Sequence, residues 1–352
     1  MAEKNFAFES GKVSIAFRSE RGLGDAVVAK KVFDALIELA PDCVIDIFYR
    51  EKGQRAFAES FFSDSKNLNS IVDFRISMEN HFFARYDLLI SVFGTHAVLL
   101  DILNPQRLQK LSPKLFFAAN KIKEYYKANV KDFKPISFTV PLRNVAISRT
   151  LQKNFFHFLS CGGALPIRDE KINIPLAPEV EPVFESLKLG KYITIYSNIG
   201  RDGVRPKVKT WPMKYLVEYV SRVKKNFPAL EIIQVGGDDA PIENVDRKFL
   251  GCDLELTKYI LANSLLHVGC EGGLIHLATA LGTKCLVLFG SSDWHYFSYK
   301  QNINVTAGVC EPCMYILENF SCLRSEFEPP CMTAITPVEI FEFMCDFLKN
   351  NS

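Results

Sequence analysis

The chain carries almost no excess charge of either sign: 42 lysines and arginines face 40 acids in 352 residues, a formal net charge of +2. That balance leaves no global field to hold nucleic acid or an anionic membrane, so any anionic ligand must be met by a local cluster. No apolar run approaches the roughly 18 residues of a membrane span. The opening residues, MAEKNFAFESGK, lack the basic stretch and apolar core of a secretory signal, and the expected compartment is the cytosol. Internal repeats and low-complexity tracts are also missing. With 48% hydrophobic and 23% charged residues, the composition is that of a folded globular protein rather than a disordered one. At typical domain sizes of roughly 100–200 residues, the length fits two domains.

Cysteine, by contrast, is plentiful. Ten are present, and in a reducing compartment a disulfide framework is not expected. Cys43, Cys161, Cys252, Cys270, Cys285 and Cys345 are scattered, several in apolar runs, and read as core. Cys310, Cys313, Cys322 and Cys331 follow the spacing C-x2-C-x8-C-x8-C in a segment with little secondary-structure pattern. They suit a tetrahedral thiolate site for structural zinc or iron. Only the first pair has the usual tight spacing, and a loop of half-buried thiols is the other reading.

Apolar runs at 13–17, 43–49, 71–76 and 87–93 read as strands. Between the first two, Val28, Val32, Leu36 and Leu39 recur on one face of a helix opened by Gly22-Leu23-Gly24-Asp25. The pattern loosens around Pro166, Pro175, Pro178 and Pro182, and a junction near residue 180 is expected. Strands at 192–197, 230–235, 265–269 and 285–290 then alternate with helices after Pro212, Asp253 and Gly272. A last helix is announced by the capping box Thr336-Pro337-Val338-Glu339 and carries the stripe Ile340, Phe341, Met344, Phe347 and Leu348. Strand and helix alternating in both halves imply two α/β domains with mostly parallel sheets.

Three patches carry candidate chemistry. The turn Arg21-Gly22-Leu23-Gly24-Asp25 opens a helix, but a dinucleotide fingerprint would place glycine where Val27 stands. Asp25 is either a helix-start acceptor or a general base at the carboxyl edge of the sheet. The loop from Arg201 to Lys209 sets Arg201, Arg205, Lys207 and Lys209 against Asp202 alone; it is either a solvated loop or a phosphate clamp. In Glu271-Gly272-Gly273-Leu274-Ile275-His276 an acid follows a strand and two glycines open a helix, an arrangement that admits a diphosphate or a sugar hydroxyl. His276 lies among apolar neighbours and reads first as a structural histidine. No Asp-x-Asp pair sits in a glycine-edged turn.

Taken together, GLGDAVVAKKVFDAL, KTWPMKYL, EGGLIHLATALGTKCLVLFG and the cysteine segment running into CMTAITPVEI resemble, in order and spacing, glycosyltransferase family nine, the ADP-heptose:lipopolysaccharide heptosyltransferase type. The resemblance covers nearly the whole chain. It implies a GT-B architecture: two Rossmann-like domains facing across a cleft, an acceptor-binding domain at 1–180, a nucleotide-sugar-binding domain at 181–335 with a cysteine-rich loop at 308–332, and a helix at 336–352 returning to the first domain. It implies an inverting transferase of lipopolysaccharide biosynthesis, with Asp25 as base and Gly24 and Arg21 on the acceptor side. Lys209, Glu271, Gly272, Gly273, His276, Ser197 and Arg205 would bind an ADP-heptose-like donor, with no cofactor required for transfer. The acceptor would be a saccharide or glycolipid, met in the cytoplasm or at the inner face of the membrane through a peripheral contact. The family's usual Asp-Ser/Thr-Gly-x-x-His is here Glu-Gly-Gly-x-x-His, which points to a different sugar or nucleotide. A nucleotide-sugar epimerase or hydrolase, or a non-catalytic sugar-binding or assembly module, are the alternatives.

Overall fold

Each half of the chain builds its own sheet around strands that the apolar runs foretell. A computed structural model describes residues 11–19, 22–75, 82–95, 97–129, 139–199, 207–315, 322–324 and 328–350. The chain divides into two units, Met1–Pro175 and Leu176–Ser352.

In the first unit β1 (Ser14–Ser19), β2 (Val44–Tyr49), β3 (Leu68–Asp73), β4 (Leu88–Phe93) and β5 (Ala97–Ile102) lie in the order β3-β2-β1-β4-β5. All neighbours run parallel except β5, which pairs antiparallel with β4. As the central strand, β1 is covered on both faces, which explains its unbroken run of fully buried Ile15, Ala16 and Phe17. The helix Leu23–Leu39 turns Val28, Val32, Phe33 and Leu36 inward. Phe33 meets Phe17 edge to face at 5.7 Å and Phe62, from the helix Lys52–Phe62, at 4.9 Å. The third strand lies earlier than expected, at 68–73 rather than 71–76. Its residues LNSIVD interleave polar and apolar positions, so the densest apolar stretch was not its centre.

In the second unit β6 (Tyr192–Ile195), β7 (Glu231–Gly236), β8 (Arg247–Leu250), β9 (His267–Cys270), β10 (Cys285–Phe289) and β11 (Ile303–Thr306) form a parallel sheet in the order β11-β10-β9-β6-β7-β8. The helix Met213–Asn226 packs Leu216, Tyr219, Val220 and Val223 against it. Buried Trp211 joins the same core and donates its indole N–H to the Ile335 carbonyl at 2.9 Å. The closing helix Pro337–Asn350 starts with Thr336 Oγ1 accepting the Glu339 N–H at 3.2 Å, the capping box read from the sequence. Its Ile340 and Met344 are fully buried in this unit's core, with Phe341, Phe347 and Leu348 packed beside them. These residues pack the helix on the second unit's own sheet and on the helix Met213–Asn226. All ten cysteines are free thiols, and Cys252 is exposed rather than part of a core.

Candidate active site

Both sheets reverse their strand order once, between β1 and β4 in the first unit and between β6 and β9 in the second. At such a reversal the chain connections leave in opposite directions and open a crevice at the carboxyl ends of the strands, where open α/β sheets take their ligands. Asp25 lies at the first of these places, and Lys209 and Glu271 at the second.

In the first unit the turn after β1 delivers Asp25 in the first turn of the helix Leu23–Leu39, with Gly24 just before it. Asp25 Oδ2 accepts the Gly22 N–H at 3.1 Å, satisfying one donor of the helix start. The carboxylate is also pressed against bare backbone. A Cβ on Gly22 would come within 2.7 Å of Oδ2, and one on Gly94, just after β4, would overlap Oδ1. Gly94 has φ +50°, which further favours glycine there. The half-buried Asp25 carboxylate therefore sits between the turns after β1 and β4, at the reversal itself. Arg21 lies outside the described residues.

In the second unit the short turn Lys207–Lys209 brings Lys209 from the β6 side of the reversal to Glu271 at the end of β9. Lys209 Nζ lies 2.6 Å from Glu271 Oε2. The turn is braced from two strands. Asn198, in the left-handed region at φ +54°, donates its amide to the Lys209 carbonyl at 2.8 Å, and Ser291 N–H donates to the Val208 carbonyl at 3.1 Å. A side chain at Gly290 would strike Val208 and Met332, so the strand end can meet this turn only as glycine.

Ser292 Oγ donates to the same Glu271 Oε2 at 2.6 Å. Oε1 faces His276 Nε2 at 4.0 Å, beyond hydrogen-bond length. Burial pushes the Glu271 carboxyl up, but the Lys209 ammonium, His276 and the two hydrogen bonds together hold it below its usual value, so it is ionised at neutral pH. Burial pushes His276 down to about 4, against a smaller upward pull from Glu271, leaving a neutral imidazole at pH 7. Its Nδ1 lies 2.7 Å from the Tyr299 hydroxyl. His276 is thus buried between Glu271 and Tyr299. Gly272 is extended at φ 168°, and a Cβ there would make only ordinary contact at 3.8 Å. Nothing in the protein's own packing demands glycine at this position, ahead of the helix Gly273–Ala280.

Ser197, just after β6, is fully buried; its hydroxyl donates to the Ala240 carbonyl at 3.3 Å and accepts the Ile199 N–H at 3.4 Å. Arg205 and the rest of the stretch 201–206 lie outside the described residues. Sequence reasoning missed Asn198, Ser292 and Gly94. Ser292 carries the signal that flagged Glu271, a polar residue just beyond a parallel strand; Asn198 and Gly94 carry none without the sheet order.

The four clustered cysteines lie within electrostatic reach of one another. Burial, followed by Cys310, Cys313 and Cys322, raises the Cys331 thiol to about 11; burial, Cys322 and Cys310 raise Cys313. Arg324 Nη1 approaches Cys310 Sγ at 3.1 Å. As placed, the described residues contain no group of three or more His, Cys, Asp or Glu side chains set to hold a metal ion.

No family model and no curated protein matches the chain. Solved structures do. A glycosyltransferase family 9 protein from Veillonella parvula DSM 2008 superposes with a TM-score of 0.62 at 16% identity, covering 98% of this chain and 99% of the other. The ADP-heptose lipopolysaccharide heptosyltransferase II of E. coli gives 0.56 at 11% identity over 97% and 100%. The iron-containing dodecameric glycosyltransferase TibC from enterotoxigenic E. coli H10407 gives 0.61 at 12% identity over 97% and 77%. The chain therefore has the fold of family 9 glycosyltransferases from end to end.

Proposed function

We propose that the protein is an inverting glycosyltransferase that moves a heptose-like sugar from a nucleoside diphosphate to a hydroxyl of a saccharide or glycolipid acceptor of the bacterial cell surface. The first unit takes the acceptor and the second the donor. The observation that carries this is the Lys209–Glu271 pair at the reversal between β6 and β9, a cation and a carboxylate 2.6 Å apart beside the glycine-opened helix. Lys209 supplies a point charge for the diphosphate, and the Gly272 and Gly273 amides supply donors at a helix start. Glu271 accepts sugar hydroxyls. Asp25 takes the proton of the acceptor hydroxyl as its oxygen attacks the anomeric carbon; the bond from that carbon to the diphosphate breaks, and the charge gathered on the leaving oxygens is met by Lys209 and the amides. No cofactor enters this step. Fold-sharing proteins that act on ADP-heptose support an ADP-linked donor, while Glu271 and Gly272 in place of the usual Asp-Ser/Thr favour a sugar that differs from theirs.

Thermal denaturation against a panel of ADP-, GDP- and UDP-sugars tests this. One of them, at about 100 times its Kd, is expected to stabilise the protein by about 2.7 kcal/mol, and transfer should then require an added saccharide. Turnover of donor with no acceptor would make it a hydrolase or epimerase; stabilisation without turnover would make it a binding module. Among the described residues no helix is long and apolar enough to cross a membrane, and contact with the inner membrane face through a glycolipid acceptor belongs to the same proposal.

Cys310, Cys313, Cys322 and Cys331 offer the donor chemistry of a four-thiolate site, although as placed they form no ligand group among the described residues. We propose that they hold structural zinc or iron, which would take no part in transfer. Elemental analysis of the purified protein is expected to find about one metal ion per chain, as a single four-thiolate site requires; a trace amount would remove the proposal.

A further inference from the structure

We infer that Glu271 makes the site discriminate an intact nucleotide sugar from the free nucleoside diphosphate left after transfer. This deepens the function proposed above and rests on it. Glu271 is the countercharge to Lys209, the cation that a diphosphate must approach. It cannot easily swing away, because the same Oε2 also accepts the Ser292 hydroxyl at 2.6 Å and the side chain is buried. An arriving diphosphate therefore brings its anionic oxygens toward a fixed carboxylate, and like charges at such range repel.

An intact donor can offset that repulsion. Its sugar hydroxyls are donors, and Glu271 Oε1, which has His276 Nε2 at 4.0 Å and no hydrogen bond among the described residues, is the oxygen that can accept them. Once the bond from the anomeric carbon to the diphosphate is broken, the sugar departs with the acceptor, and those hydroxyls go with it. The diphosphate left behind carries one more negative charge than the donor did and offers Oε1 no sugar hydroxyl. The carboxylate that favours binding of the donor then disfavours the product.

Calorimetric titration of Glu271→Gln with inorganic diphosphate, with ADP, GDP and UDP, and with the nucleotide sugar selected by the panel tests this. Diphosphate and the matching nucleoside diphosphate are expected to bind at least about tenfold tighter to the variant, a shift of about 1.4 kcal/mol. The nucleotide sugar should gain less or weaken, so that the preference for it collapses. Ser292→Ala keeps both charges but removes one restraint on Glu271; it should tighten the free diphosphate by less than Glu271→Gln does. A merely structural role for Glu271 would weaken every ligand. If the unaltered protein binds its nucleotide sugar but Glu271→Gln binds diphosphate no tighter, this inference fails alone. If the unaltered protein binds neither, the proposed function fails and takes the inference with it.

Discussion

Transfer by Asp25→Asn is expected to fall by roughly two to four orders of magnitude, the usual contribution of a positioned general base. The asparagine side-chain oxygen can still accept the Gly22 N–H that Asp25 Oδ2 accepts at 3.1 Å, so the helix start keeps its partner and the fold should be unchanged. Donor affinity should be unchanged too, because the proposed donor residues lie in the other unit. The loss would appear in kcat, with the nucleotide sugar still raising Tm. Gly94→Ala asks whether the carboxylate's position matters as well as its basicity. The added methyl would overlap Oδ1 at a backbone φ of +50°, so it must displace the acid, the turn or both. Steady-state kinetics on the two variants checks the assignment: a transfer rate in Asp25→Asn within about tenfold of the parent, well short of what a base contributes, would remove Asp25 as the base.

Much of this arrangement could be read from residue order, and the reasons it could be read are specific. Buried parallel strands such as Ile15–Phe17 and Cys285–Phe289 are continuous apolar runs because helices cover both faces. Glycines at 22, 24, 272 and 273 mark strand-to-helix turns, and Asp25, Lys209 and Glu271 stand out as charged residues in those turns. Three of the four edge strands were not legible. β8 and β11, with sequences RKFL and INVT, have one neighbour each and little apolar content, and β5 is an antiparallel addition that no βα alternation announces. The placing of the last helix was legible only in part: its stripe demanded a partner, but periodicity does not say which sheet. Strand order is the piece of information that converts scattered motifs into sites. Asp25 and Gly94 are 69 positions apart, as 94 − 25 shows, and meet because β1 and β4 are neighbours. Lys209 and Glu271 meet because β6 lies beside β9.

Lys209→Met should be the most destabilising single change at the donor site. It leaves a buried Glu271 carboxylate with the Ser292 hydroxyl but no cation, and breaking a buried ion pair in this way costs about 3–5 kcal/mol. For a unit of this size, at roughly 2–4 °C per kcal/mol, Tm should drop by roughly 6–20 °C. The effect should depend on pH in a defined direction. In the parent protein the Glu271 pKa is held below its ordinary 4.5, so the pair's contribution is complete above that pH and is lost only as pH falls through the lowered value. Without Lys209 two of the causes that lower the Glu271 pKa are gone while burial still raises it, so the folded-state pKa is higher than in the parent and the variant gains stability from protonation at a higher pH than the parent does. The gap in Tm between parent and variant should therefore be widest near pH 7 and narrow toward pH 4.5. Lys209→Met combined with Glu271→Gln removes both charges and should recover most of the lost stability. Thermal melts of the three proteins between pH 4.5 and 7.5 read this directly. A pH-independent gap, or a double variant no more stable than the single one, would mean that Lys209 stabilises the fold by some means other than neutralising Glu271.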